Sequence, residues 1–295
     1  MRNMNRRVFM LSSLGAVVFA QQMSGAQKPS PRSGKIILIG GKKSHGLGEH
    51  DFPNGIPLIA SFLKGARPFR GTEILAFPNG WPAGLAELDG ASTLVLYFDG
   101  VQQVPPPLLN PPRIAEVQKL IDAGAGLVCL HQASTVPYGD TTIPLVEWLG
   151  AKRNGMFDRT TESVNLKPET PSHPVCQGMT SFTYEDEFYP TLVFNRDAKR
   201  VVPILRANLP KEAPADHILA WAFERPNGGR SFGFTGGHYL ASLKQPQIKK
   251  MILNAICWTS GRTVPPEGVA VESPAASVQA PRPADLQSTS ERSKV

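Results

Sequence analysis

The chain has 295 residues, 41% hydrophobic and 19% charged, which is ordinary for a globular protein with enough apolar material for a core. Its net charge of +7 includes Arg2, Arg6 and Arg7 at the N-terminus, and the other lysines and arginines form no dense block. That dispersal argues against a nucleic-acid partner. Cys129, Cys176 and Cys257 show no CxxC spacing, which weighs against a thiol redox or metal-storage protein. Cys129 and Cys257 lie in apolar runs and read as buried core thiols, although an oxidising compartment would allow a pair to bridge.

Residues 1–26 read as an export signal. Arg6-Arg7 precede hydrophobic residues, a modest apolar stretch runs from Leu11 to Ala20, and Ser24-Gly25-Ala26 offers small residues for cleavage. The expectation is a twin-arginine signal and a periplasmic or otherwise extracytoplasmic location. The apolar stretch is too short and interrupted for a good membrane span, and no other segment reads as one.

After a Pro/Ser/Lys spacer, Lys35-Ile36-Ile37-Leu38-Ile39 reads as a buried parallel strand. Its loop, Gly40 to Phe52, holds His45, Glu49 and His50. In an open α/β sheet such a loop lies at the carboxyl edge, where ligands bind. Pro57 to Gly65 has helical spacing. Strands follow at 73–77 and 92–98, with a turn-rich loop carrying Trp81 between them. Pro111-Pro112 opens a helix that presents Ile114, Val117, Leu120 and Ile121 on one face, and Leu127 to Leu130 is a strand ending at His131. This alternation implies a doubly wound, mostly parallel α/β sheet.

From about 151 shorter strands alternate with turns, as a β-rich elaboration on the sheet. Strands at 201–206 and 217–224 suggest a hairpin, and 230–235 runs into Gly236-Gly237-His238. A last amphipathic helix carries Ile248, Met251, Ile252, Ala255 and Ile256 and ends before Gly261. The remainder, 263–295, is Pro-, Ser- and Ala-rich and reads as a disordered tail. The domain itself spans 35–262.

The chemistry-bearing residues sit just past strand ends. His45, Glu49 and His50 combine imidazole and carboxylate, which suits either a divalent metal or acid/base work near neutral pH. His131 occupies the strand-to-turn position where related α/β enzymes hold a nucleophile; as histidine it suits proton transfer or ligation better. Glu185, Asp186 and Glu187 lie beside Phe182, Tyr184, Phe188 and Tyr189, where partial burial raises a carboxyl pKa and aromatic faces suit sugar rings. His238 repeats the design of the first loop. His173 and His217 read as structural.

In this order, Ser44-His45-Gly46…Glu49-His50, Gly126 to His131, His173-Pro174-Val175…Gly178-Met179, Asp186-Glu187-Phe188-Tyr189 and Gly229-Arg230-Ser231-Phe232…Gly237-His238 resemble the ThuA-like (trehalose utilisation) family, over roughly 35–260. The family usually has Leu where Phe188 stands. The resemblance implies a flavodoxin-like, class I glutamine amidotransferase-like fold and a link to catabolism of trehalose and similar glycosides through 3-keto-sugars. It does not imply amidotransferase activity, because His131 replaces the elbow cysteine and Tyr239 and Leu240 follow His238.

The resulting expectation is an enzyme acting on a glycoside or 3-keto-sugar. His131 or His45 would remove the proton beside the ketone, and Asp186 or Glu187 would protonate the leaving oxygen. Tyr189, His238 and Trp81 would contact the sugar. A divalent metal on His45, Glu49, His50 or His238 would polarise the ketone. The alternative is a non-catalytic carbohydrate-binding module using the same cleft.

Overall fold

The computed structural model describes residues 34–101, 109–137, 139–153, 155 and 158–272. The first half alternates strand and helix. In order come β1 (Lys35–Ile39), α1 (Phe52–Lys64), β2 (Ile74–Phe77), β3 (Ala91–Leu96), α2 (Pro111–Asp122) and β4 (Gly126–Leu130). Next are α3 (Leu145–Leu149), β5 (Ala151–Arg153), β6 (Thr160–Leu166), β7 (Phe182–Phe188) and β8 (Leu192–Phe194). The chain closes with β9 (Val201–Leu209), β10 (Ala215–Glu224), β11 (Arg230–Phe234) and α4 (Pro246–Thr259).

The central sheet has seven strands in the order β2-β1-β3-β4-β11-β10-β9. The first five are parallel, and β10 and β9 extend the sheet as an antiparallel hairpin. Side chains alternate across a strand. Ile36 and Leu38 therefore enter the core layer under α1 and α4, while Ile37 and Ile39 enter the layer under α2 and α3. Both faces are covered, which is why β1, β3 and β4 are apolar throughout instead of alternating. The β-rich elaboration divides. The β9–β10 hairpin joins the main sheet, whereas β6–β7 and β5–β8 form separate two-stranded pairs.

Helix α1 begins earlier than its sequence suggests. It starts at Phe52 and carries Pro57 inside, because Phe52, Ile56, Ile59, Ala60 and Leu63 form one buried stripe at helical spacing. Gly55 lies on that buried side against the ring of Tyr97, just past β3. A Cβ at Gly55 would stand 2.4 Å from a ring carbon of Tyr97. Helix α3 and strands β5 and β8 carry too few residues for a periodic pattern and are not evident in the sequence.

The chain also stays packed beyond α4. Val264 and Val269 are buried, Val271 bridges to Ala66, and the Glu272 amide donates to the Gly65 carbonyl at 2.8 Å. The boundary read at 263 therefore moves past Glu272; residues 273–295 lie outside the described residues. Cys129, Cys176 and Cys257 are buried free thiols. Burial raises all three thiol pKa values, that of Cys176 to about 11. Among the described residues no helix is long and apolar enough to cross a membrane.

Two stability tests follow from this packing. Gly→Ala inside a helix ordinarily gains about 1 kcal/mol. At Gly55 the contact with buried Tyr97 reverses the sign, and urea denaturation of Gly55→Ala is expected to show a loss of about 1–2 kcal/mol. His173 is indeed structural: its Nδ1 accepts from the Val175 amide at 3.2 Å. Burial, with Arg230 nearby, lowers its pKa to about 4. Unfolded, it takes up a proton near pH 6.5. Between those values the unfolded chain binds more protons, so this group's contribution to stability falls as pH drops from about 6.5 to about 4. His173→Asn keeps a capping acceptor without the titration. The variant should lose less stability than the parent between pH 7 and pH 5, by on the order of 1 kcal/mol.

Candidate functional site

Three segments far apart in sequence meet at the carboxyl edge of the sheet. The loop after β1 pairs with the segment after β11. Glu49 bridges to Tyr239, the His50 amide donates to the His238 carbonyl at 2.9 Å, and the Leu240 amide donates to the Gly48 carbonyl at 2.8 Å. His131 caps β4 from between them. It opens a single turn closed by the Ser134 hydroxyl, which donates to the His131 carbonyl at 2.6 Å. His50 and His131 have φ of 42° and 52°, the positive values that non-glycine residues rarely adopt. Among the described residues only these two non-glycine positions do so, and backbone strain of this kind gathers at functional sites.

Four donor atoms converge here. His50 Nε2 lies 2.9 Å from His131 Nε2, and His238 Nδ1 lies 3.2 Å from the same atom. A Glu187 carboxylate oxygen stands 3.8 Å from His131 Nε2 and 3.5 Å from His238 Nδ1. Taken together, the donor atoms of His50, His131, Glu187 and His238 lie within 4.8 Å of one another. The Tyr189 hydroxyl donates to His131 Nε2 at 2.8 Å, and the two rings stack at 4.6 Å between centroids. Arg153 lies over the other partner of that stack, 3.6 Å from the Tyr189 ring centroid.

Burial sets the charge state. His131 is fully buried and His50 almost so. Burial drives both imidazoles well below the usual histidine range, and neighbouring histidines add to the effect. His238 falls to about 4, again chiefly through burial, with Glu49 pulling the other way. All three are therefore neutral at pH 7, and their approaches to Glu187 are not ion pairs. Glu187 is raised by burial, while Arg159, 3.5 Å from its carboxylate, lowers it.

Asp186, expected to protonate a leaving oxygen, lies beneath the site instead. Adjacent strand residues point to opposite faces. Its fully buried carboxylate accepts from the amides of Gly237 at 2.6 Å, His238 at 3.1 Å and Glu187 at 2.9 Å, and from the Tyr184 hydroxyl. Burial raises its pKa to about 6, against the pull of those donors. Gly237, at φ 103°, takes a backbone conformation that only glycine adopts readily. Its carbonyl accepts from the buried Tyr97 hydroxyl at 2.6 Å.

His45 and Glu49 stay at the rim. The His45 ring stands 3.7 Å from that of His50, and Ser44 Oγ lies 3.0 Å from His45 Nδ1 and 2.9 Å from His50 Nδ1. Glu49 accepts from the Gly46 amide at 3.2 Å and reaches 4.0 Å from His238 Nε2. Trp81 is not part of the cluster. It packs on the core layer under α2, with Arg113 5.7 Å over its ring. Tyr189 is fully buried and positions His131, so it presents no face to a sugar.

Ser44, Arg153 and Arg159 were not singled out by their residue types, and the last two carry no motif. Only the placement of Ser44 beside His45 was a signal. Two surface grooves lie along the β9–β10 hairpin, and neither includes a histidine of the cluster.

A mostly parallel, flavodoxin-like sheet with a histidine–carboxylate cluster at its carboxyl edge defines the class. The sequence matches the ThuA family, described as trehalose utilisation, over residues 43–259, and the chain belongs to that family. A ThuA-like protein from Bacteroides uniformis shares the fold, with 15% identity over 80% of this chain and 94% of its own and a TM-score of 0.56. A cytoplasmic protein of Salmonella typhimurium matches at 14% identity over 76% of this chain and 98% of its own, with a TM-score of 0.51. A second cytoplasmic protein, from Salmonella typhimurium LT2, matches at 12% identity over 76% and 99%, with a TM-score of 0.50. No curated protein matches the sequence. The expectation of a periplasmic location through a twin-arginine signal is corrected by these relatives. Two proteins of this fold are cytoplasmic, so export does not go with the fold, and residues 1–26 lie outside the described residues.

Asp186→Ala would leave the buried amides of Gly237 and His238 without their acceptor. Each such loss costs about 1–3 kcal/mol, so urea denaturation should show the variant destabilised by about 3–5 kcal/mol. Glu187→Ala, at the partly open rim, should lose less than about 1 kcal/mol.

Proposed function

We propose that the chain is an enzyme of disaccharide catabolism that acts on a glycoside or a 3-keto-sugar by acid/base chemistry. The family's description as trehalose utilisation supplies the substrate class. The observation that carries the chemistry is the placement of Glu187. It faces two neutral imidazoles, its carboxyl pKa is raised by burial, and its side chain still has an open edge beside Arg159. A carboxyl group raised toward neutral pH can hold a proton and then give it up.

His131 is fully buried and does not touch a substrate in this arrangement. The sugar instead meets the rim, formed by His45, Glu49 and Glu187. The C2 proton of a 3-keto-glycoside is acidic because the enolate formed on its loss delocalises onto the ketone. His45 removes that proton. The electron pair then expels the C1 oxygen, which takes a proton from Glu187. Water adds at C1 of the resulting unsaturated ketone and a proton returns to C2, so the net reaction is hydrolysis.

The test is turnover of a panel of 3-keto-disaccharides and their parent glycosides by the purified protein. Turnover of a keto-sugar is expected, with Glu187→Gln lowering kcat by about 10²–10⁴-fold at unchanged thermal stability. A panel without turnover, or a Glu187→Gln protein as active as the parent, overturns the proposal.

A further inference from the structure

The hydrogen bonds around His131 do not close among the side chains alone. A carbonyl oxygen only accepts, so His131 Nδ1, 2.7 Å from the Thr235 carbonyl, must carry the proton. Its Nε2 is then a bare lone pair. That single lone pair faces the Tyr189 hydroxyl, His50 Nε2 and His238 Nδ1, all within 3.2 Å. Either three donors compete for one acceptor, or nitrogen lone pairs face one another in a buried site. Both arrangements are costly there.

A cation at the centre resolves the conflict. We infer that His50 Nε2, His131 Nε2, His238 Nδ1 and a Glu187 carboxylate oxygen form a binding site for one divalent first-row transition metal, Zn²⁺ or a near neighbour. The inference deepens the reading of this cluster as the active centre.

Two independent features support it. The first is spacing. Metal–nitrogen bonds of about 2.0–2.1 Å in a tetrahedron set ligand atoms about 3.3 Å apart. Four of the six separations here are 2.9, 3.2, 3.5 and 3.8 Å, and all six fall within 4.8 Å. The second is the outer shell. Ligating imidazoles typically donate their other ring N–H to an oxygen, which fixes the tautomer and orientation. Two of the three have such an oxygen within hydrogen-bond distance: Ser44 Oγ at 2.9 Å from His50 Nδ1 and the Thr235 carbonyl at 2.7 Å from His131 Nδ1; the third, His238 Nε2, faces Glu49 at 4.0 Å, beyond a direct hydrogen bond.

The ligand set differs from the His45, Glu49, His50 and His238 expected from the sequence, since His131 and Glu187 replace His45 and Glu49. Three nitrogens and a carboxylate favour Zn²⁺, Co²⁺ or Fe²⁺ over Mg²⁺ or Ca²⁺, which take oxygen ligands. Glu187 is the least buried ligand and the one paired with a cation, Arg159, so it is the exchangeable one, and it carries the proton of the proposed reaction only when it is off the metal. A metal there would polarise a substrate ketone at the rim.

The experiment is Co²⁺ titration of the full chain, freed of any affinity tag and stripped with chelator. Visible absorption and elemental analysis are the readouts, with no substrate present. One cobalt per chain with the intense visible bands of a tetrahedral site is expected. His131→Ala and His238→Asn should abolish those bands. Ser44→Ala should weaken binding by about 10–100-fold. His45→Ala should bind as the parent does, because it is not a ligand. Circular dichroism of each variant separates lost ligands from lost fold, and His238→Asn, nearer the surface than His131, provides the second variant.

Absence of stoichiometric cobalt, or unchanged bands in a correctly folded His238→Asn protein, overturns the inference. Stoichiometric cobalt in a protein that turns over no sugar supports the metal site and sinks the proposed activity. Sugar turnover by a protein that takes up no cobalt does the reverse.

Discussion

The site depends on one buried carboxylate. Asp186 gathers the amides of Gly237, His238 and Glu187 and the Tyr184 hydroxyl onto its two oxygens. It thereby ties β7, which brings Glu187, to the turn after β11, which brings His238. The loop after β1 then zips onto that turn and delivers His50. The burial that opposes ionisation of Asp186 is partly offset by four donors, and a charge held this way fixes geometry more firmly than a neutral acceptor would. Tyr97 acts from the other side, joining the packing of α1 to the Gly237 carbonyl.

Much of the frame was legible because its signals are local. The apolar runs of β1, β3 and β4, bounded by glycine and proline, announce strands buried on both faces. The loop histidines stand out because polar residues past strand ends have few structural reasons to be there. Other features were not legible. Asp186 and Glu187 are neighbours of nearly identical chemistry, and only the pleat of β7 sends one beneath the site and the other to its rim. Tyr189 reads as a sugar platform in the sequence but is the partner of His131 in the fold. The convergence of His131 with His50 and His238 is a tertiary fact, set by strand order and invisible to spacing along the chain. Trp81 is a parallel case, since an aromatic ring in an edge loop covers core.

The cluster also shows why buried histidines need not behave as the usual pH-sensitive group. Removed from water and set beside one another, the three imidazoles stay neutral well into the acidic range. They offer lone pairs rather than charge. Charge control passes to Glu187, whose partner Arg159 is half-exposed and therefore screened by solvent. Proton traffic is thus confined to the rim, while the interior keeps a fixed protonation pattern held by Thr235 and Ser44.

The wide sequence separation of the converging histidines has a consequence for biogenesis. His50 and His131 are 81 residues apart, and His131 and His238 are 107 apart. Closing such loops costs entropy that local contacts do not return, so contacts of this range form late in folding. Ribosomal synthesis emits His238 last, and until β11 has entered the sheet between β4 and β10 the cluster is incomplete. A nascent or truncated chain that lacks β11 holds His50 and His131 but not His238, so the full cluster waits for the last third of the chain. Sheet and centre are therefore completed together: the β4–β11 pairing, Leu127 with Ser231 to Leu130 with Phe234, spans the chain as widely as the histidines do.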